Sequence, residues 1–144
     1  WAQVNAELAL ERSGPERYLS SYRLLEELVA AVGPAPEPEI AALIGTLTAE
    51  LWTLRQMSLS VTGQLARGAL PALEAAIVKD LGARFEQDIP PLVQAAIDPE
   101  LAAAGDGALQ DALDYLLRAS PSFSLRGGTR EILRGIIAKG LGLR

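Results

Sequence analysis

The stretch EIAALIGTLTAELWTLRQMSLSVTGQL (Glu39–Leu65) decides the fold class. Ile40, Ile44, Leu47, Leu51, Leu54, Ser58, Val61 and Leu65 follow one another at steps of four and three residues. That is the spacing of one face of an α-helix, and a seam this long and regular suits packing in a helical bundle. Trp52 falls beside the seam and reads as a packing residue.

Working outward, GPAPEPE (Gly33–Glu39) is a proline-rich connection that ends one helix and introduces the next. Before it, Val4, Leu8, Tyr18, Tyr22, Leu25, Val29 and Val32 keep the helical rhythm, interrupted by Gly14–Pro15. The same rhythm predicts core positions at 11 and 15 and finds Glu11 and Pro15. Glu11 is therefore either a carboxylate on a core face or, if Pro15 turns that face outward, a surface partner for Arg12. After the long helix, RGALP (Arg67–Pro71) punctuates the chain. A third helix is expected from Pro71 to Ile89, with Leu73, Ile77, Leu81 and Phe85 on one side. Pro90–Pro91 should interrupt it before LVQAAI resumes, and DPELAAAGDG reads as a loop with room for a helical turn. Gln110–Arg118 is a short fourth helix and ASPSFSL an extended segment. The last helix begins near Thr129 and buries Ile132, Leu133, Ile136 and Ile137. The expectation is all-α: one domain over residues 1–144, an antiparallel bundle of about four to five helices without internal repeats.

Composition agrees. The 144 residues are 49% hydrophobic but only 5% aromatic, which is helix-former chemistry rather than the β-branched alternation of strands. A mean hydropathy of +0.19 implies much buried apolar surface, some of it against other chains. The net charge of −5, with no basic stripe, argues against nucleic-acid binding. No cysteine and no histidine are present, so disulfides, thiolate nucleophiles and the commonest metal ligands are excluded, and no metal is expected. Acid–base chemistry must fall to carboxylates, Lys, Tyr or Arg. No run is apolar enough to span a membrane, and the start at Trp1 in mid-pattern reads as a piece of a longer protein.

The closing stretch SLRGGTREILRGIIAKGLGLR sets two glycines and a threonine directly before an amphipathic helix. Two readings stand: an ordinary turn with an N-cap, or a close backbone approach to an anion at a helix amino terminus.

GGTREILRGIIAKGLGLR (Gly127–Arg144) resembles the carboxyl-terminal signature of the acyl-CoA dehydrogenase family, typically Gly-Gly-Thr-Ser-Glu-Ile, an Ile- and Ala-rich helix, then Leu-Gly-Leu-Pro. LALERSGPERYLSSYRLLEELV (Leu8–Val29) is similar to the first helix of the family's carboxyl-terminal domain, and LEAAIVKDLGARFEQ (Leu73–Gln87) to the third. The resemblance implies a carboxyl-terminal helical domain, lacking the amino-terminal helical and middle β domains, of an enzyme that uses FAD to dehydrogenate an acyl-CoA thioester. In that reaction a carboxylate removes the α-proton while the β-hydrogen leaves as hydride to the flavin, and a weakly acidic proton calls for a carboxylate in a dry pocket. In many members the base directly precedes the Gly-Thr of the terminal motif, where this chain has glycine. In isovaleryl- and long-chain-type members it is the Glu of a Glu-Arg pair, which corresponds to Glu11, with Glu16 in reserve. The family's loop before the last helix lies against the flavin, which assigns Gly127, Gly128, Thr129 and Glu131 to cofactor binding.

Two family elements are missing. AAVGPAPEPEIAAL carries no Arg-x-x-x-Phe-Gly, and AAAGDGALQ replaces Gln-x-x-Gly-Gly-x-Gly with Gly105–Asp106–Gly107, a poor neighbour for a diphosphate. Both elements serve a neighbouring subunit's flavin, so the resemblance leaves two readings. One is a catalytic acyl-CoA dehydrogenase chain, as homo-oligomer or heteromer; the other is a non-catalytic partner subunit of a heteromer serving assembly. The family and the lack of cysteine imply a cytoplasmic location.

Overall fold

Described here is a computed structural model covering residues 7–8, 11–103 and 105–143; Trp1, Val4 and Arg144 lie outside the described residues. The helices are α1 (Tyr22–Val32), α2 (Pro38–Ala66), α3 (Ala72–Ala96), α4 (Pro99–Ala102), α5 (Ala108–Ala119) and α6 (Arg130–Gly140). Two 3-10 turns, Pro15–Arg17 and Ser120–Leu125, join them, and no strand occurs among the described residues. The fold is all-α. None of its described helices is long and apolar enough to cross a membrane.

The seam of α2 packs as its spacing requires. Leu47, Leu54, Ser58 and Val61 are buried; Ile40, Ile44 and Leu51 close over the core around Leu47 and Leu54, while Val61 packs with Ala75 and Val78 in a second cluster. Ser58 is tolerated there because its hydroxyl donates to the Ser13 carbonyl at 2.5 Å. Trp52 is 60% exposed rather than packed, with the Arg55 guanidinium 5.2 Å from its ring centre. Leu24, Leu25 and Leu28 of α1 and Leu109, Leu113 and Leu116 of α5 complete the main core, whereas Tyr22 and Val29 face outward.

Helix α3 is the axis of the molecule, touching α1, α2, α5, α6 and both 3-10 turns. Its buried face is Ala75, Val78, Lys79, Gly82, Phe85, Glu86 and Ile89; of the expected Leu73–Ile77–Leu81–Phe85 line only Phe85 is buried, Leu73 and Ile77 are partly buried, and Leu81 is 43% exposed. The side chosen is the one whose small residues let neighbours approach. A Cβ on Gly82 would stand 2.3 Å from the Arg17 carbonyl oxygen, so the first 3-10 turn lies directly on bare helix backbone.

The expected interruption at Pro90–Pro91 does not occur; α3 runs through both prolines to Ala96. A proline inside a helix removes a bond to the carbonyl four residues earlier and costs about 3 kcal/mol when nothing replaces it. For Pro90 that carbonyl belongs to Glu86, and the Ser21 hydroxyl donates to it at 2.8 Å. The segment ASPSFSL is likewise a 3-10 turn rather than extended, and α5 begins two residues before the expected Gln110, after Gly107 in a left-handed conformation. In α6 Leu133 is fully buried, Ile136 and Ile137 are partly buried, and Ile132 is 56% exposed.

The close approach at Gly82 yields a paired test. Gly82→Ala should lower the unfolding free energy by about 1–3 kcal/mol, the usual cost of overpacking. Gly45→Ala, at an α2 position with nothing within 4 Å of the new Cβ, should raise it by about 0.5–1 kcal/mol. Urea denaturation of both variants checks the pair; equal shifts would contradict the packing described.

Candidate functional site

Residues 11 and 12 end a helical segment, and the chain then bends through Ser13 and Gly14 into Pro15–Arg17. The bend turns Glu11 and Arg12 to different partners. The Glu11 carboxylate pairs with the Arg17 guanidinium, whose Nε also donates to the Glu11 carbonyl at 3.1 Å. Arg17 itself is buried and approaches Glu16 at 3.4 Å. The Glu11 side chain is 46% exposed, so the dry surroundings expected for a catalytic base are not made by these helices. Its expected surface partner, Arg12, is buried and reaches elsewhere.

Arg12 Nε donates to the Gly127 carbonyl at 2.9 Å, across 115 residues of sequence. That bond places the Glu11–Arg12 segment against the loop that opens α6. Gly127 and Gly128 both have positive φ, 67° and 112°, which only glycine adopts freely. Thr129 is the N-cap residue of α6 but makes no side-chain cap hydrogen bond. Glu131 is exposed; its own backbone N–H, then the Thr129 hydroxyl, hold its carboxyl below the usual carboxylate range, helped by Arg134 and Arg130. Arg130 Nε meets Asp80 Oδ1 at 3.0 Å and pins the start of α6 to α3. Glu11, Gly127, Gly128, Thr129 and Glu131 thus share one end of the bundle, joined through Arg12.

Beneath this end lies a buried polar cluster on α3 that periodicity alone passed over. Glu86 is fully buried; one oxygen accepts the Ser20 N–H at 2.6 Å and the other meets Arg126 Nη2 at 3.0 Å. Burial raises its pKa, against the opposing pull of the Ser20 hydrogen bonds and of Arg126 and Lys79. Lys79, also fully buried, donates from Nζ to the Phe123 carbonyl at 3.0 Å. Burial, then the positive charge of Arg17, pushes it down to about 8. Arg126 stacks on the Phe123 ring at 4.3 Å. The available signal was a lysine and a glutamate two turns apart in AAIVKDLGARFEQDI, with Gly82 between them on the same face.

The arrangement has clear chemical limits. No three acidic side chains among the described residues gather as a metal site. The Asp106 carboxylate accepts the Ala108 N–H at 3.1 Å and so occupies the start of α5, closing that terminus to a diphosphate. At the start of α6 the donors are backbone N–H groups and a threonine hydroxyl on a glycine loop. No protein-family model matches the chain, and no curated protein matches it.

The buried lysine makes a pH prediction. The folded chain releases this proton near pH 8 and the unfolded chain near the ordinary 10.5, so the unfolded state holds more protons between these values. Stability contributed at this position therefore rises as pH increases from about 8 to about 10.5. Unfolding free energies of the natural chain and of Lys79→Met, measured across that window, should converge or diverge by this slope; parallel profiles would contradict the burial of an ionisable amine.

Proposed function

We propose that this chain is the carboxyl-terminal helical bundle of an FAD-dependent acyl-CoA dehydrogenase. The observation that carries the reading is the Arg12–Gly127 hydrogen bond. The two segments that resemble that family's base-bearing helix and flavin loop are far apart in sequence and adjacent in space.

In this reading the Glu11 carboxylate takes the α-proton of the thioester onto one of its side-chain oxygens. Its pair with Arg17 positions the side chain, and the Arg17 Nε bond to the Glu11 carbonyl fixes the backbone that carries it. A half-exposed carboxylate is a weak base in water, so substrate or a covering surface must displace solvent from it. Bound flavin supplies the acceptor for the β-hydride. Gly127 and Gly128 leave room for the ring to approach, with Thr129 and Glu131 at its edge, and Arg12 holds the loop in place.

The second reading, a non-catalytic partner subunit of a heteromer, draws on two observations. The α5 amino terminus is blocked by Asp106, and the segment between α1 and α2 carries no arginine. Such a chain would serve assembly, with the flavin contacts supplied by its partner.

Flavin content of the protein carrying this chain, and bleaching of that flavin under anaerobic conditions with a panel of acyl-CoA thioesters, separate the two readings. Glu11→Gln should retain flavin and lose about 10²–10⁴-fold in turnover, the usual contribution of a general base. Unchanged turnover would remove Glu11 from the mechanism, and a flavin-free protein would favour the partner subunit.

A further inference from the structure

The first 3-10 turn and the start of α1 meet the middle of α2 at a cleft of about 350 Å³. It shares no residue with the candidate site. A volume of that order suits a small molecule, whose sites are concave and lined mostly by apolar and aromatic groups. The chain is poor in aromatics, yet two of its three tyrosines, Tyr18 and Tyr22, and one of its two tryptophans, Trp52, line this cleft. Leu19 and Leu51 extend its apolar wall. Tyr22 is 40% and Trp52 60% exposed, so the fold leaves much of both rings uncovered.

Two polar groups at the cleft have no partner in the fold. Tyr18 is only 5% exposed, and its hydroxyl makes no hydrogen bond to the described residues. Nor is that hydroxyl sealed, since the sealed and unpartnered side-chain atom among those residues is Arg126 Nε. Tyr18 therefore holds a free donor against the cleft, where buried polar groups normally find a partner. Arg55 is the one charged side chain among the described residues lining the cleft, and it makes no ion pair with them. Its guanidinium lies over Trp52, 5.2 Å from the ring centre. Held there, the planar fork offers two parallel N–H groups, the match for a carboxylate. A flat ring is the body that stacks on exposed aromatic faces, adding to the area it buries.

We propose that the cleft between the first 3-10 turn, α1 and α2 binds a small aromatic carboxylate, with its ring against Tyr22 and Trp52 and its carboxylate on Arg55 and the Tyr18 hydroxyl. The site stands apart from the flavin reading, because none of these residues belongs to the Glu11–Arg12 segment or to the loop before α6.

The test is chemical-shift mapping on the 144-residue chain, titrated with sodium naphthoate and, in parallel, with the neutral naphthalenemethanol. Saturable naphthoate shifts are expected at the Trp52 indole N–H, at Arg55 Nε and at the amides from Tyr18 to Tyr22. The alcohol should bind about tenfold more weakly, the usual worth of a hydrogen bond to a charged group. Arg55 and Trp52 are exposed, so their replacement leaves the core intact. Arg55→Gln should bring naphthoate down to the affinity of the alcohol and leave the alcohol unchanged, whereas Trp52→Ala should weaken both. Tyr18→Phe, which keeps the ring, should weaken naphthoate alone. Equal affinities for acid and alcohol, undiminished naphthoate binding in Arg55→Gln or Trp52→Ala, unsaturable shifts, or shifts centred elsewhere would overturn the site. Concentration-dependent sedimentation that Trp52→Ala abolishes would give the cleft to a second copy of the chain and overturn it as well.

Discussion

Glu86, a fully buried carboxylate, organises the end of the bundle where the candidate site lies. Its side chain joins the Ser20 backbone on one side and Arg126 on the other, and its own carbonyl, freed by Pro90, accepts from Ser21. One residue of α3 thus holds both the segment that follows Glu11–Arg12 and the segment that precedes Gly127–Gly128. Lys79 adds a second tie to the same turn through Phe123, and Gln87 donates to the Ser120 and Pro121 carbonyls. Glu86 and Lys79 find their partners in a dry interior, while the buried Arg126 Nε has none among the described residues. Removing one partner of such a pair is costlier than the pair's net worth, because the other charge is left stranded.

Close packing and polar satisfaction act together here. Gly82 lets the Arg17 carbonyl rest on α3, and this approach brings Ser20 and Ser21 within reach of Glu86. From that anchor the chain runs back through the bend at Ser13–Gly14, and Arg12 meets the Gly127 carbonyl. Arg130–Asp80 and the close contact of Gly140 with Leu73 clamp the two ends of α6 on α3. The candidate site is thus set by α3, although none of its proposed contact residues lies on that helix.

Much of the fold was legible. The four-and-three spacing of Ile40–Leu65 predicts α2 and its buried face, and GPAPEPE and RGALP mark its ends. The face of α3 was only partly legible from large apolar residues: Phe85 was placed on it, but Ala75, Lys79, Gly82 and Glu86 share that face with Val78 and Ile89, and Lys79, Gly82 and Glu86 are buried against distant segments. The Pro90–Pro91 break failed for the same reason: sequence spacing shows a missing N–H but not Ser21 arriving to replace it. At the candidate site, glycines before a helix announced the loop, and the Glu11 irregularity marked the facing segment. The partnership of Arg12 with Gly127 needed the fold, since nothing local couples positions 115 residues apart.

The central claim is that Glu86 holds both halves of the candidate site together. Amide hydrogen exchange of Glu86→Gln against the natural chain tests it most directly. Protection should fall together over residues 12–19 and 126–130, while the α2 amides around Leu47–Leu54 keep theirs. Loss confined to one of the two segments, or no change in either, would contradict the account.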